Sequence, residues 1–204
     1  MLFDDTYQTI EKPAVGHFSD RGSKFLAFAY PIASDVEVKP ILTRLKAEHP
    51  KANHFCWAMR LSPDRSIFRL NDDGEPAGTA GRPILNLLLS RDITNVLLVV
   101  VRYFGGTLLG VPGLINAYKT TATNALAHTI VVRKTINDIY SIEFGYLQMN
   151  EVMKIIKNDQ IDIISQTSDT ACSIRVAIRK TMVNQVAAKL GQLADVKMIY
   201  KTTQ

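Results

Sequence analysis

Six consecutive aliphatic residues, Val96-Leu97-Leu98-Val99-Val100-Val101, constrain this fold more than any other feature. The run is far short of the ~20 residues a membrane-spanning helix needs. As a strand it is apolar on both faces, so it belongs inside a sheet covered on both sides. Residues 95–104 are therefore expected to form the central strand of a layered α/β unit. Residues 24–30 and 53–61 read as strands and 66–70 as a shorter one. Between the first two, Val38, Ile41, Leu42 and Leu45 recur at helical spacing. Pro40 then falls in that helix's first turn, where a missing N–H costs nothing. Pro83 opens a short apolar helix through Leu89. A longer helix follows Gly110, with Leu114, Tyr118, Ala122 and Ala125 on one side.

The pattern changes near Val132-Arg133-Lys134-Thr135, so two domains are expected, 1–132 and 133–204. In the second, Tyr140, Ile142 and Phe144 alternate at strand period, and Met149, Val152, Met153 and Ile156 follow at helix period. Ile161 and Ile163 alternate next, and Ser168-Asp169-Thr170 reads as a turn. Cys172, Ile174, Val176 and Ile178 make another strand. Thr181 is positioned to cap a helix bearing Val183, Val186, Ala187 and Leu190. Val196, Met198 and Tyr200 close the series. The order βαββαβ in about 70 residues favours a ferredoxin-like layer, one antiparallel sheet with two helices on one face.

Composition limits the function classes. Lys and Arg number 24 against 19 Asp and Glu, a net charge of +5, and 47% of residues are hydrophobic, enough to build cores. The two cysteines, Cys56 and Cys172, suit a reducing compartment and exclude a disulfide scaffold. The acidic start Met1-Leu2-Phe3-Asp4-Asp5 lacks a signal-peptide pattern. A cytoplasmic protein without a membrane contact is expected.

Seven of the 11 glycines fall between Gly74 and Gly113, and the candidate chemistry lies there. The loop Asn71-Asp72-Asp73-Gly74-Glu75-Pro76-Ala77-Gly78-Thr79-Ala80-Gly81-Arg82-Pro83 sets three carboxylates just before a helix N-terminus. Such carboxylates could hold Mg²⁺, and Arg82 with the helix's free N–H groups could hold an anion. Carboxylates capping backbone N–H groups are the first reading, and the sequence leaves a metal open. The second stretch, Val101-Arg102-Tyr103-Phe104-Gly105-Gly106-Thr107-Leu108-Leu109-Gly110-Val111-Pro112-Gly113-Leu114, lacks the spacing of a P-loop or a dinucleotide fold. Arg102 is expected to emerge at the strand's end beside Gly105-Gly106, with the rings of Tyr103 and Phe104 near it. His54, Cys56 and Arg60 share one face of a strand whose other face, Phe55, Trp57, Met59 and Leu61, should be core. Neighbours on that face lie ~7 Å apart along the backbone, so Cys56 reads as structural, while His54 lines a surface with Arg60. In the second domain Arg175, Arg179, Lys197 and Lys201 are expected on an open sheet face that could meet phosphates, with Glu143 diluting the field.

Three segments together resemble the YigZ/IMPACT family. They are Asp72-Asp73-Gly74-Glu75-Pro76-Ala77-Gly78-Thr79-Ala80-Gly81-Arg82-Pro83, Val100-Val101-Arg102-Tyr103-Phe104-Gly105-Gly106 and Leu109-Gly110-Val111-Pro112-Gly113-Leu114-Ile115-Asn116-Ala117-Tyr118. Ala52, His54 and Cys56 match a weaker family segment. Arg82 stands where the family often has Lys, and Pro112 where Gly is common. The resemblance implies an α+β protein whose N-terminal domain is like the second domain of a small-subunit ribosomal protein, followed by the ferredoxin-like domain. That pairing is similar to the last two domains of elongation factor G. The resemblance also implies a link to translation, since eukaryotic IMPACT proteins are associated with control of initiation under amino-acid stress.

The leading expectation is a non-enzymatic binding protein with no cofactor, contacting the ribosome or RNA, or a protein partner in translation control. Its groove is expected from Asp72, Asp73, Glu75, Arg82, Arg102, Tyr103 and His54, with Arg175 and Arg179 as a secondary nucleic-acid contact. The alternatives are an enzyme acting on a small phosphorylated or peptide-like ligand in that groove, and a pure protein-interaction module.

Overall fold

The aliphatic run lies in strand β6 (Val96–Tyr103), the middle of five strands. With β2 (Ala14–Asp20), β3 (Ser23–Pro31), β4 (His54–Leu61) and β5 (Ile67–Asn71) it forms an antiparallel sheet of order β2-β3-β6-β4-β5. Residues 96–101 are fully buried, because helices cover both faces. Leu97, Val99 and Val101 pack on the face covered by α1 (Val38–Glu48), together with Phe55, Met59 and Leu61. Val96, Leu98 and Val100 pack on the other face against α2 (Gly81–Ser90) and α3 (Gly110–Ala127), which contribute Ile84, Leu88, Tyr118 and Ala122.

The structure is a computed structural model that describes residues 5–168 and 172–203. The Ser168-Asp169-Thr170 turn and the start Met1-Leu2-Phe3-Asp4 lie outside or only partly inside the described residues. The described residues divide into two compact units, one of residues 7–134 and one of those from 135 onward together with Asp5 and Thr6. The boundary expected at 132/133 falls within strand β7 (Val131–Thr135), which pairs with β1 (Thr6–Ile10).

In the smaller unit, β8 (Asn137–Phe144), α4 (Met149–Asn158), β9 (Asp162–Ser168), β10 (Cys172–Arg179), α5 (Val183–Leu190) and β11 (Lys197–Thr203) follow the βαββαβ order. The antiparallel sheet β11-β8-β10-β9 has the ferredoxin-like arrangement. Ile142, Ile174 and Val176 face the core with Val152, Ile156, Val186 and Leu190 of the two helices.

Three local expectations are corrected. Ile163 is exposed although it pairs with the buried Val176, because β9 is the edge strand of its sheet. Thr181 makes no helix cap; its hydroxyl donates instead to Asp5 Oδ2 at 2.5 Å. Arg60 does not line a surface with His54. It is buried near the other end of β4, bonded to Asp92 at 3.3 Å. No described helix is long and apolar enough to cross a membrane.

Candidate binding cleft in the larger unit

The loop between β5 and α2 folds back over the start of β4 and the end of β6. Each of its three carboxylates has a separate job there. Asp72 caps α2: Oδ1 accepts N–H bonds from Ala80 at 3.0 Å and Gly81 at 2.8 Å, and Oδ2 accepts from Gly78 at 2.9 Å. The Ala80 and Gly81 amides are donors a helix start leaves unpaired, and the helix dipole favours an anion there. Asp73 accepts the Phe55 N–H at 2.7 Å, and its main-chain carbonyl accepts from His54 Nδ1 at 2.8 Å. Asp73 and Gly74 have φ of 42° and 87°, and this left-handed pair turns the loop so that Glu75 points inward. With the carboxylates facing three ways, no cluster of acidic, histidine or cysteine side chains suited to a metal occurs among the described residues.

Glu75 reaches the buried end of β6. Its Oε1 accepts from Arg102 Nη1 at 2.5 Å and from the Tyr118 hydroxyl at 2.7 Å. The Arg102 and Glu75 side chains are only 5% and 4% exposed, so each charge is compensated by the other rather than by water. Arg102 does not emerge at the sheet's edge as the sequence suggested. Strand alternation places it on the α3 face with Val100, and Glu75 closes over it. Its guanidinium lies 5.4 Å from the Phe25 ring centre and 5.5 Å from that of Phe104. Arg102 Nε is buried and has no hydrogen-bond partner among the described residues.

The same alternation sends Tyr103 to the opposite face, where its hydroxyl bonds His49 Nδ1 at 2.8 Å. Tyr103 therefore does not share a groove with Arg102. Arg82, the second residue of α2, is exposed and does not line the cleft. Cys56 is buried with its sulfur 3.0 Å from the Asp72 carbonyl and 3.2 Å from the Tyr118 hydroxyl. Burial pushes the Cys56 thiol far up, and the nearby Glu75, Asp73 and Asp72 carboxylates add to the effect. Burial likewise pushes the Tyr118 hydroxyl far up. A thiol held neutral in this way is an inert structural group.

His54, Glu75 and Arg102 form the polar floor of an open cleft of about 360 Å³. Its walls are Pro76, Phe104, Leu108, Leu109, Val111 and Leu114. The sequence reading missed the wall and the role of Tyr118. The available signal was three large aliphatic residues, Leu108, Leu109 and Val111, in a glycine-rich connection where little apolar surface is expected. Leu108 is 81% exposed and Val111 53%. Pro112 sits in the first turn of α3 and is accommodated there.

In the smaller unit, Arg175 is exposed and makes no ion pair among the described residues. Arg179 is held by Asp5, with Nε 2.5 Å from Oδ2 and Nη2 3.0 Å from Oδ1. Lys201 falls at a register shift between Tyr200 and Thr202, which removes it from the regular alternation.

These features define a two-unit α+β protein with a charge-compensated, apolar-walled cleft at a strand-to-helix bend. The model of the Impact N-terminal domain matches residues 21–126, the stretch that contains the cleft. IMPACT family member YigZ of Escherichia coli is 34% identical over 76% of this chain and 78% of its own. IMPACT family member YvyE of Bacillus subtilis is 30% identical over 76% and 71%. A crystal structure of a hypothetical protein, 29% identical, superposes with a TM-score of 0.73 over 98% of this chain and 99% of that one. The chain belongs to the IMPACT family.

Proposed function

We propose that this chain is a non-enzymatic, cytoplasmic binding protein of translation control that works in contact with the ribosome. The observation that carries this reading is the cleft itself. Its buried guanidinium is already compensated by Glu75, its thiol and phenol are held neutral, and its walls are apolar. Such a site is suited to recognition by shape and burial. The translation link is supported by family membership. The chain is 38% identical to the protein IMPACT homolog of Saccharomyces cerevisiae over 53% of its length, and the family resemblance implies control of initiation.

Co-sedimentation with ribosomes across a salt series tests the proposal. A contact made through the cleft gives binding that Leu108→Glu weakens and that salt changes little. No binding even at low salt overturns the reading. A direct RNA contact is the second reading, favoured by the exposed Arg175 on the same sheet face as Lys197 of β11. It predicts a steep salt dependence, because phosphate neutralisation releases counterions, and loss on Arg175→Glu.

A further inference from the structure

We infer that the cleft over His54 and Arg102 binds an uncharged segment of a partner protein, seating one large apolar side chain and pairing that residue's main-chain amide with the floor. The inference rests on the reading of this chain as a binding protein and names what the site takes.

Three observations select this ligand. The first is charge. The Glu75–Arg102 pair leaves the floor with no net charge to offer an anion. A phosphate or a chain-terminal carboxylate brought beside Arg102 meets the Glu75 carboxylate at the same place, whereas a neutral amide meets no such repulsion. The second is unpaired hydrogen-bonding capacity. Arg102 uses Nη1 on Glu75 and Nη2 on Ser23 at 3.4 Å, but Nε has no partner among the described residues. That Nε has essentially no accessible surface, so nothing seated in the cleft reaches it and the guanidinium is a closed group. His54 supplies the group a ligand can reach. Its Nδ1 donates to the Asp73 carbonyl at 2.8 Å, which in the neutral ring leaves Nε2 as an acceptor. One reachable acceptor on a floor without net charge matches the N–H of a peptide.

The third observation is the wall. Phe104, Leu108 and Val111 are 45%, 81% and 53% exposed around the cleft. Exposed large apolar groups gathered on one concave surface mark a binding site. A volume of about 360 Å³ lies at the small end of ligand sites, enough for one aliphatic or aromatic side chain with its amide. The wall is carried by a connection whose Gly106 and Gly110 have φ of 85° and 71°, left-handed turns that glycine makes without strain.

The experiment selects binders to the full-length protein from a random library of end-blocked hexapeptides and measures their affinity by fluorescence anisotropy. The expected winners carry Leu, Ile, Met or Phe and no acidic residue beside it. Leu108→Glu and Val111→Glu, both at exposed positions, should lower affinity tenfold or more. Leu147→Glu, in the smaller unit and 92% exposed, should leave it unchanged. In NMR spectra the His54 Nε2 resonance should move on peptide addition. Selection of no peptide, or of peptides that bind Leu108→Glu equally well, or a stationary His54 Nε2 signal overturns the inference. Ribosome co-sedimentation is run in parallel. If it persists while no peptide is selected, this inference fails and the translation reading stands; if peptides bind and ribosomes do not, the translation reading fails alone.

Discussion

Glu75 is the residue on which the cleft depends. It accepts bonds from a guanidinium and a phenol that would otherwise be buried with unmet donors. Removing one partner of a buried ion pair costs ~3–5 kcal/mol, because the remaining charge has no water to replace it. Glu75→Ala should therefore lower stability by about that amount in urea unfolding followed through Trp57, the chain's single tryptophan. Tyr118→Phe removes one bond to Glu75 and should cost only ~1 kcal/mol. A Glu75→Ala variant as stable as the wild type would contradict the buried pair. Cys56 gives a chemical check on the same group. Its raised thiol and complete burial predict that it does not react with iodoacetamide in the folded protein and does so on unfolding, read by mass spectrometry.

At the scale of elements, close packing decides where substitution fails. A Cβ added at Gly16 of β2 would lie 2.2 Å from the Ala125 nitrogen and 2.7 Å from its Cα. Helix α3 therefore rests directly on the strand backbone, and neither side is a movable side-chain end. Gly16→Ala should destabilise the larger unit by at least the ~1–3 kcal/mol typical of overpacking, measured as a lowered denaturation midpoint. The same packing explains why β2 was not legible in the sequence. Its inward positions include Ala14 and Gly16, small residues that give no apolar alternation. The long apolar strand and the ferredoxin-like order were legible, because aliphatic residues at period 2 or 3.6 mark a buried face directly. The split of Arg102 from Tyr103 was also available from alternation, since successive strand residues face opposite ways. What alternation could not show was that Glu75, 27 positions earlier, would close over Arg102. That pairing is set by a left-handed turn at Asp73 and Gly74 and by the capping role of Asp72, neither of which leaves a periodic signal. Asp72→Ala should thus cost ~1–2 kcal/mol, the usual worth of a helix cap. It should also loosen the cleft floor, seen as increased exchange of the Gly81 amide.

At the scale of the whole molecule, the smaller unit is assembled from both ends of the chain. Asp5 and Arg179 are 174 positions apart, yet the carboxylate accepts two guanidinium bonds and the Thr181 hydroxyl. The Arg179 hydrogen bond is the largest cause holding the Asp5 carboxyl below its ordinary value of 3.8; burial acts in the opposite direction, and Thr181 and the Arg179 charge add to the lowering. The sign of the pH effect follows. A carboxylate whose folded pKa is depressed contributes its full stabilisation above the unfolded value and loses it as pH falls through the folded one. Between neutral pH and the ordinary carboxylate value, the wild-type smaller unit should therefore exceed Asp5→Asn in stability by a constant margin. Below that value the margin should shrink, because the wild type alone loses this contribution. Denaturation read separately in each unit tests this, using methyl resonances of Ile142 and Ile174 for the smaller and Trp57 fluorescence for the larger. A pH-independent difference between the two proteins, or a parallel change in the Trp57 transition, would show that the chain's beginning does not clamp the smaller unit through Arg179.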